Sequence, residues 1–120
     1  TTIRRITNNS KGEIMTEAHG IDVSRYQGSI NWGLVKGDPF KPEFAAIRAT
    51  VGDYYSDPEY RANYRAATSA GFIATAYHVI RMHVGIESQV NRLFNFLGDD
   101  LPPYPLLWIV KLQMVNLQEK

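Results

Sequence analysis

A chain of 120 residues, 44% hydrophobic and 21% charged, is long enough for one packed core and too short for two domains. Its 13 Lys and Arg against 12 Asp and Glu leave a net charge of +1, so no overall field drives binding to nucleic acid or to anionic membranes. The absence of cysteine excludes a disulfide framework, thiolate metal sites and a cysteine nucleophile.

Residues 1–18 are polar and without usable periodicity, and Asn8-Asn9-Ser10-Lys11-Gly12 reads as loop. Met15 follows Lys11-Gly12-Glu13, whose codons can form a purine run like a bacterial ribosome-binding site. Residues 1–18 are therefore expected to be a polar arm or, over 1–14, translated leader, with the folded domain over 19–120. No apolar run approaches the roughly 20 residues of a membrane helix, and residues 1–20 lack the apolar stretch of a signal peptide. The chain is then expected to stay cytoplasmic until released, or to be exported by other means.

From His19 onward, short apolar runs alternate with helical patterns. Gly20 to Ser24, with its β-branched residues, predicts a first strand. Asn31 caps a short helix whose apolar side is Trp32, Leu34 and Val35, ended by Gly37 and Pro39. Phe44 to Thr50 is a mostly apolar run suited to a parallel strand buried on both faces, interrupted by Arg48. Asp57-Pro58-Glu59 opens a second helix that Gly71 closes. Phe72 to Ile80 is a third strand. Glu87 to Leu97 is a helix with Val90, Leu93, Phe94 and Leu97 as its apolar stripe, Phe96 falling off it, and Leu106 to Val110 is a fourth strand. Tyr60 and Tyr64, four apart, read as helix–sheet packing.

The order βαβαβαβ implies parallel strands with right-handed crossovers, an α/β sheet or part of a barrel. A closed eight-stranded barrel takes about 200 residues or more. In such architectures reactive groups lie at the carboxyl ends of strands. Asp22, inside an apolar strand, needs a donor, a cation or a water-filled cleft, and Arg48 is the nearest candidate cation. Tyr77-His78 adds a hydroxyl and an imidazole, suited to sugar recognition and proton traffic. His19, His78 and His83 sit on different elements without matching carboxylate spacing, so no metal site is expected. The glycines form no phosphate-binding loop.

Gly20-Ile21-Asp22-Val23-Ser24-Arg25-Tyr26-Gln27-Gly28, Asn31-Trp32, Phe44 to Gly52, Asp57-Pro58, Ala70-Gly71 and Ala76-Tyr77-His78 occur in this order and spacing. Together they resemble the family 25 glycoside hydrolases, the lysozyme-type N-acetylmuramidases of phages, bacteria and fungi, over about residues 19–113, the first half of that domain. The resemblance implies the first half of an irregular β/α, TIM-like barrel. It implies an endolysin-like enzyme acting on the peptidoglycan glycan strand, at the β-1,4 bond between N-acetylmuramic acid and N-acetylglucosamine, with neither metal nor organic cofactor. Asp22 matches the family's first-strand acidic residue, and Tyr77-His78 match the strand that lines the sugar groove, with Tyr26 and Arg48 expected as further substrate contacts. Val51 stands where many members carry Glu.

The fourth strand departs from the family pattern, which is an Asp-x-Glu pair after an apolar run that follows Leu-Pro. Residues two apart on a strand share a face about 6.6 Å apart, so the pair puts two carboxyl groups in one groove. One donates a proton to the leaving oxygen while the other stays charged. Here the positions read Ile109 and Lys111, and Lys111 near Asp22 would form an ion pair instead. Loss of general acid–base catalysis alone costs roughly 10²–10⁴-fold, so the chain is expected to lack appreciable muramidase activity. The family's later strands have no counterpart after Lys120, which leaves a half-built groove and apolar edges that self-association would cover. Two alternatives remain at this stage: a catalytically silent wall-binding module using Tyr26, Tyr54, Tyr55, Tyr77 and Trp108, and a nonfunctional fragment.

Overall fold

The structure, a computed structural model, describes the backbone of residues 2–8, 14–103 and 107–110 and the side chains of residues 19–103. Strands β1 (Thr2–Asn8), β2 (Ile14–Val23), β3 (Phe44–Val51), β4 (Tyr55–Ser56), β5 (Ile73–Ile80) and β6 (Leu107–Val110) form one sheet. Helices α1 (Trp32–Lys36), α2 (Tyr60–Ser69) and α3 (Ile86–Leu97) connect them. The spatial order is β1-β2-β3-β5-β6, with β4 paired to β3 off that path.

The sheet is mixed, which corrects the expectation of parallel strands throughout. The pairs β2–β3, β3–β5 and β5–β6 are parallel, as the alternation implied. β1 runs antiparallel to β2, with Thr2 opposite Ile21 and Thr7 opposite Thr16, and β4 folds back antiparallel on β3. The polar segment read as an arm thus contributes ladder strands. Backbone amides and carbonyls pair without an apolar pattern to announce them. Asn9 to Gly12 lie outside the described residues.

The capping signals act as expected at α1, whereas α2 starts only at Tyr60, with Glu59 as its N-cap and no side-chain cap bond, so Asp57 and Pro58 precede the helix. Asn31 accepts the Leu34 amide at 3.2 Å and starts α1, and Gly37 ends it. Asp57 accepts the Glu59 amide through Oδ1 at 2.9 Å one turn ahead of α2. A 3-10 turn, Arg25–Gln27, follows β2. Ser24 Oγ accepts the Tyr26 amide while Gln27 Oε1 accepts the Ser24 amide, a closed box that fixes the direction in which Arg25 and Tyr26 leave the sheet.

The core lies between one sheet face and the helices. Ala45, Ile47 and Ala49 of β3 and Ala74 and Ala76 of β5 are buried there. The small side chains let Tyr60, Leu93 and Leu97 approach the strands closely. Trp32 meets Phe72 edge-on at 5.4 Å. In α3 the buried positions are Gln89, Leu93 and Leu97. Phe96 packs on the core and against Tyr60 at 5.7 Å while Phe94 is exposed, the reverse of their sequence reading. The buried face of α3 runs through Gln89, Leu93 and Leu97, which at 3.6 residues per turn includes Phe96 and turns Phe94 away, and the polar Gln89 takes a core position for its hydrogen bonds.

Candidate functional site

The parallel strands end at one rim, and the segments leaving them converge there. Arg48 projects from the face of β3 opposite the core. It does not pair with Asp22, as the sequence suggested: its Nε donates to Asp57 Oδ2 at 2.8 Å, in an ion pair whose carboxylate side chain is 1% exposed. The same Oδ2 accepts the Arg25 amide at 3.0 Å. One carboxylate therefore ties together the turn after β2, the middle of β3 and the entry to α2. A buried carboxylate with three donors is a joint, and it holds the rim's shape.

Tyr26 and Tyr55 lie beside this joint. The Arg48 guanidinium sits 5.2 Å from the Tyr26 ring centre and 5.4 Å from that of Tyr55, and the Arg25 guanidinium 5.3 Å and 5.9 Å from the same two rings. Arg81, just past β5, donates from Nε to the Tyr54 hydroxyl at 3.1 Å. These residues and Val51 line a cavity of about 170 Å³. Gly52 makes the turn possible. Its φ is +56°, its amide donates to the Val79 carbonyl, and a Cβ there would run into the Tyr54 ring.

Tyr77 occupies the same sheet face, 6% exposed in an apolar patch with Ala46, Val51 and Val79. Burial pushes its hydroxyl up to about 12, helped by the negative charges of Asp22 and Asp57 and opposed by Arg48. At any physiological pH it is a neutral donor beside half-buried Asp22.

His78 faces the other way. It is fully buried, with Nε2 2.9 Å from Gln89 Oε1 and Nδ1 2.6 Å from Thr50 Oγ1. Gln89 Oε1 also accepts the Arg81 amide, and its Nε2 donates to the Arg81 and Val84 carbonyls. The amide is thus oriented, so His78 carries its proton on Nε2 and accepts the Thr50 hydroxyl at Nδ1. Burial lowers its pKa, with the Gln89 bond opposing. The expectation that His78 lines a groove with Tyr77 is corrected: neighbours on a strand point to opposite faces. A register shift between Arg48 and Thr50 carries Thr50 to the helix side to meet it.

Asp22, Tyr26, Arg48 and Tyr77 thus gather at or below one rim. Ile109 lies in β6 opposite Val79; its side chain and that of Trp108 are outside the described residues, as is Lys111. Among the described residues no group of three or more His, Asp or Glu could hold a metal ion, and no helix is long and apolar enough to cross a membrane. Sequence reasoning missed Asp57 as the joint and Arg81 as a wall. Asp57 was already accounted for as a cap, and Arg81 follows its strand without any motif. A larger cavity of about 420 Å³, between Tyr60, Arg61, Tyr64 and the Asp99–Leu101 segment, contains none of these rim residues.

The rim thus combines a carboxylate near the end of β2, a largely buried neutral phenol on the same side of the sheet and a small cavity with aromatic and cationic walls. The family model for glycosyl hydrolases family 25 matches residues 21–97, and the chain belongs to that family. It is 52% identical over 62 residues to lysozyme M1 of Streptomyces globisporus, a match covering 52% of this chain and 20% of that protein. Among solved structures, it resembles a bacterial lysozyme from Streptomyces coelicolor with a TM-score of 0.59 and 42% identity, over 65% of this chain and 36% of that one. A family 25 glycosyl hydrolase from Bacillus anthracis gives a TM-score of 0.66 at 25% identity, over 86% of this chain and 45% of that one. The chain spans less than half the length of each of these relatives.

Proposed function

We propose that this chain is a lysozyme-type domain, the first half of an irregular β/α barrel, that recognises the peptidoglycan glycan strand at the rim formed by β2, β3 and β5. The observation that carries the reading is Asp22 at the carboxyl end of β2 in a family 25 chain, beside the neutral Tyr77 hydroxyl. An ionised carboxylate there would stabilise positive charge developing at a sugar ring or orient an acetamido group, and Tyr77 would donate to a sugar or carboxylate oxygen. The bond addressed is the β-1,4 linkage between N-acetylmuramic acid and N-acetylglucosamine.

As written, the chain binds without appreciable turnover, because Ile109 and Lys111 stand at the two positions that supply acid and anion in the Asp-x-Glu pattern. Neither side chain can protonate a leaving oxygen at neutral pH and remain where a carboxylate must act. Incubation with purified peptidoglycan is expected to release no more reducing ends than the Asp22→Asn variant does. Turnover above that control would overturn the inactive reading. A catalytically silent binding module is favoured by Tyr26, 75% exposed, and Tyr54, 54% exposed, aromatic residues at the cavity of the kind that stack on sugars. The chain should therefore pellet with insoluble peptidoglycan, and a chain that stays in the supernatant would leave only the fragment reading.

A further inference from the structure

The rim cavity differs from the rest of the chain in charge. Its walls carry Arg25, Arg48 and Arg81 with Tyr26, Tyr54, Tyr55 and Val51, and no carboxylate. Among the described residues Arg48 alone of the three arginines is ion-paired, to Asp57. The acidic groups nearby are Asp57, committed to that pair and to two amides; Asp22, whose field reaches Tyr77; and exposed Asp53 in the intervening turn.

Two observations point to an absent anion. Arg25 and Arg48 both sit within 6 Å of the same two tyrosine rings, so two like charges are gathered at one place and stiffened by ring contacts. Asp57 offsets the charge of Arg48, which leaves the Arg25 guanidinium as the charge at this place without an ion-pair partner among the described residues. In addition, Arg81 Nη1 is buried and has no hydrogen-bond partner among the described residues, while Nε of the same group is held by Tyr54. A buried guanidinium nitrogen without an acceptor is rare, because its desolvation is uncompensated. Gln89 grips the Arg81 backbone on both its amide and carbonyl, and Tyr54 holds the side chain at Nε, so the residue is anchored at both ends.

We propose that the cavity is a carboxylate-binding subsite, in which Arg25 and Arg81 grip an acidic group of the wall polymer while the Arg48–Asp57 pair fixes the wall between them. This rests on the peptidoglycan reading and names the part of the polymer that is read. The carboxylate has two sources: the lactyl ether of a muramic acid freed of its peptide, or the acidic residues of an attached peptide stem. A planar carboxylate suits this wall, since two guanidinium forks supply paired N–H donors in the geometry that carboxylate oxygens accept.

The test is calorimetric titration of the 120-residue chain with four soluble glycans of equal length: peptide-free with lactyl carboxylates, the same with those carboxylates converted to carboxamides, stem-bearing, and an N-acetylglucosamine oligomer. The acidic glycan should bind about ten-fold more tightly than its carboxamide twin. Added salt should narrow that gap, and Arg81→Gln should abolish it. Tighter binding of the peptide-free form assigns the lactyl source, and tighter binding of the stem-bearing form assigns the stem. Equal affinity for acid and carboxamide overturns the subsite while leaving the glycan reading intact. No binding of any of the four overturns both. The acid–carboxamide comparison needs no variant, so the test survives a folding defect in Arg81→Gln.

Discussion

The two faces of the same strands are built on opposite principles. Toward the helices, β3 and β5 present Ala45, Ile47, Ala49, Ala74 and Ala76, small or branched groups that close a dry core. Toward the rim they present Arg48 and Tyr77, held by a buried ion pair and an apolar patch. The first face tolerates exchange of one aliphatic group for another of similar volume. The second depends on single atoms, because a charge removed from water must keep its partner. The faces also carry different polar insertions. His78, Thr50 and Gln89 form a neutral circuit on the core side, whereas the rim side is charged. Stability is therefore diffuse on one face and concentrated at Asp57 on the other.

The sharpest way to break this asymmetry is at the joint. Asp57→Ala removes the acceptor of Arg48 Nε, the Arg25 amide and the Glu59 amide, leaving a guanidinium buried without its counter-charge. The expected loss is about 3–5 kcal/mol of unfolding free energy, read as a shift in the denaturant midpoint. Asp57→Asn, which can replace only part of the pattern, should fall between. If Asp57→Ala costs no more than an Ile47→Val change, roughly 0.5–1.5 kcal/mol, the contrast between the faces is wrong. Gly52→Ala comes next, at about 1–3 kcal/mol. Its φ of +56° disfavours a Cβ, and the Tyr54 ring stands where that Cβ would go. The loss should be accompanied by altered ligand affinity, because Tyr54 holds Arg81.

How far the sequence could be read differs between these faces for a physical reason. The core face follows from periodicity: β3, β5 and β6, the end of β2, the Asn31 cap and the Gly37 stop fall within a residue or two of their expected positions, whereas β2 starts six residues before the expected Gly20, since alternation and capping are local signals. The rim was legible only in part. Strand-end logic points to Asp22 and Tyr77, while Arg48 is expected as a cation near Asp22 and Tyr26 as a sugar contact through the family resemblance. That Arg48 pairs with Asp57, nine residues further on, and not with Asp22 depends on the chain folding back through β4, which no local pattern encodes. The face of His78 turned on alternation past a register shift beside Thr50, and adjacency to Tyr77 in the chain concealed it. The β1–β2 pairing was invisible because its ladder is made by backbone groups in a stretch with no apolar alternation.

The neutral circuit makes the core face sensitive to acid. Burial holds His78 below its ordinary value of 6.5. Between the folded and unfolded values the unfolded chain binds the extra proton, so acid favours unfolding there. Stability should be full above about pH 6.5 and decline as pH falls below it toward the lowered folded value, before most carboxylates titrate. Melting temperatures between pH 7.5 and 5 should show this slope, and His78→Gln, which has no proton to gain in that window, should flatten it. A slope that persists unchanged in His78→Gln would assign the sensitivity elsewhere.

The smallest expected stability effect is at the most exposed aromatic residue of the rim. Tyr26 is 75% exposed and touches the fold through its ring's contacts with Arg25 and Arg48. Tyr26→Ala should therefore move the unfolding free energy by no more than about 0.5 kcal/mol, since little apolar area returns to water. Its effect on wall binding should be much larger, because an exposed ring beside a cationic cleft is positioned to stack on a sugar and to stiffen two arginines at once. Pelleting with peptidoglycan should weaken several-fold in a protein whose melt is unchanged. If the melt shifts as far as in Asp57→Ala, Tyr26 belongs to the joint and not to the surface that meets a ligand. If neither melt nor pelleting moves, sugar contact at this rim must be made by Tyr54 or Tyr55, and the same pair of measurements on Tyr54→Ala separates those two.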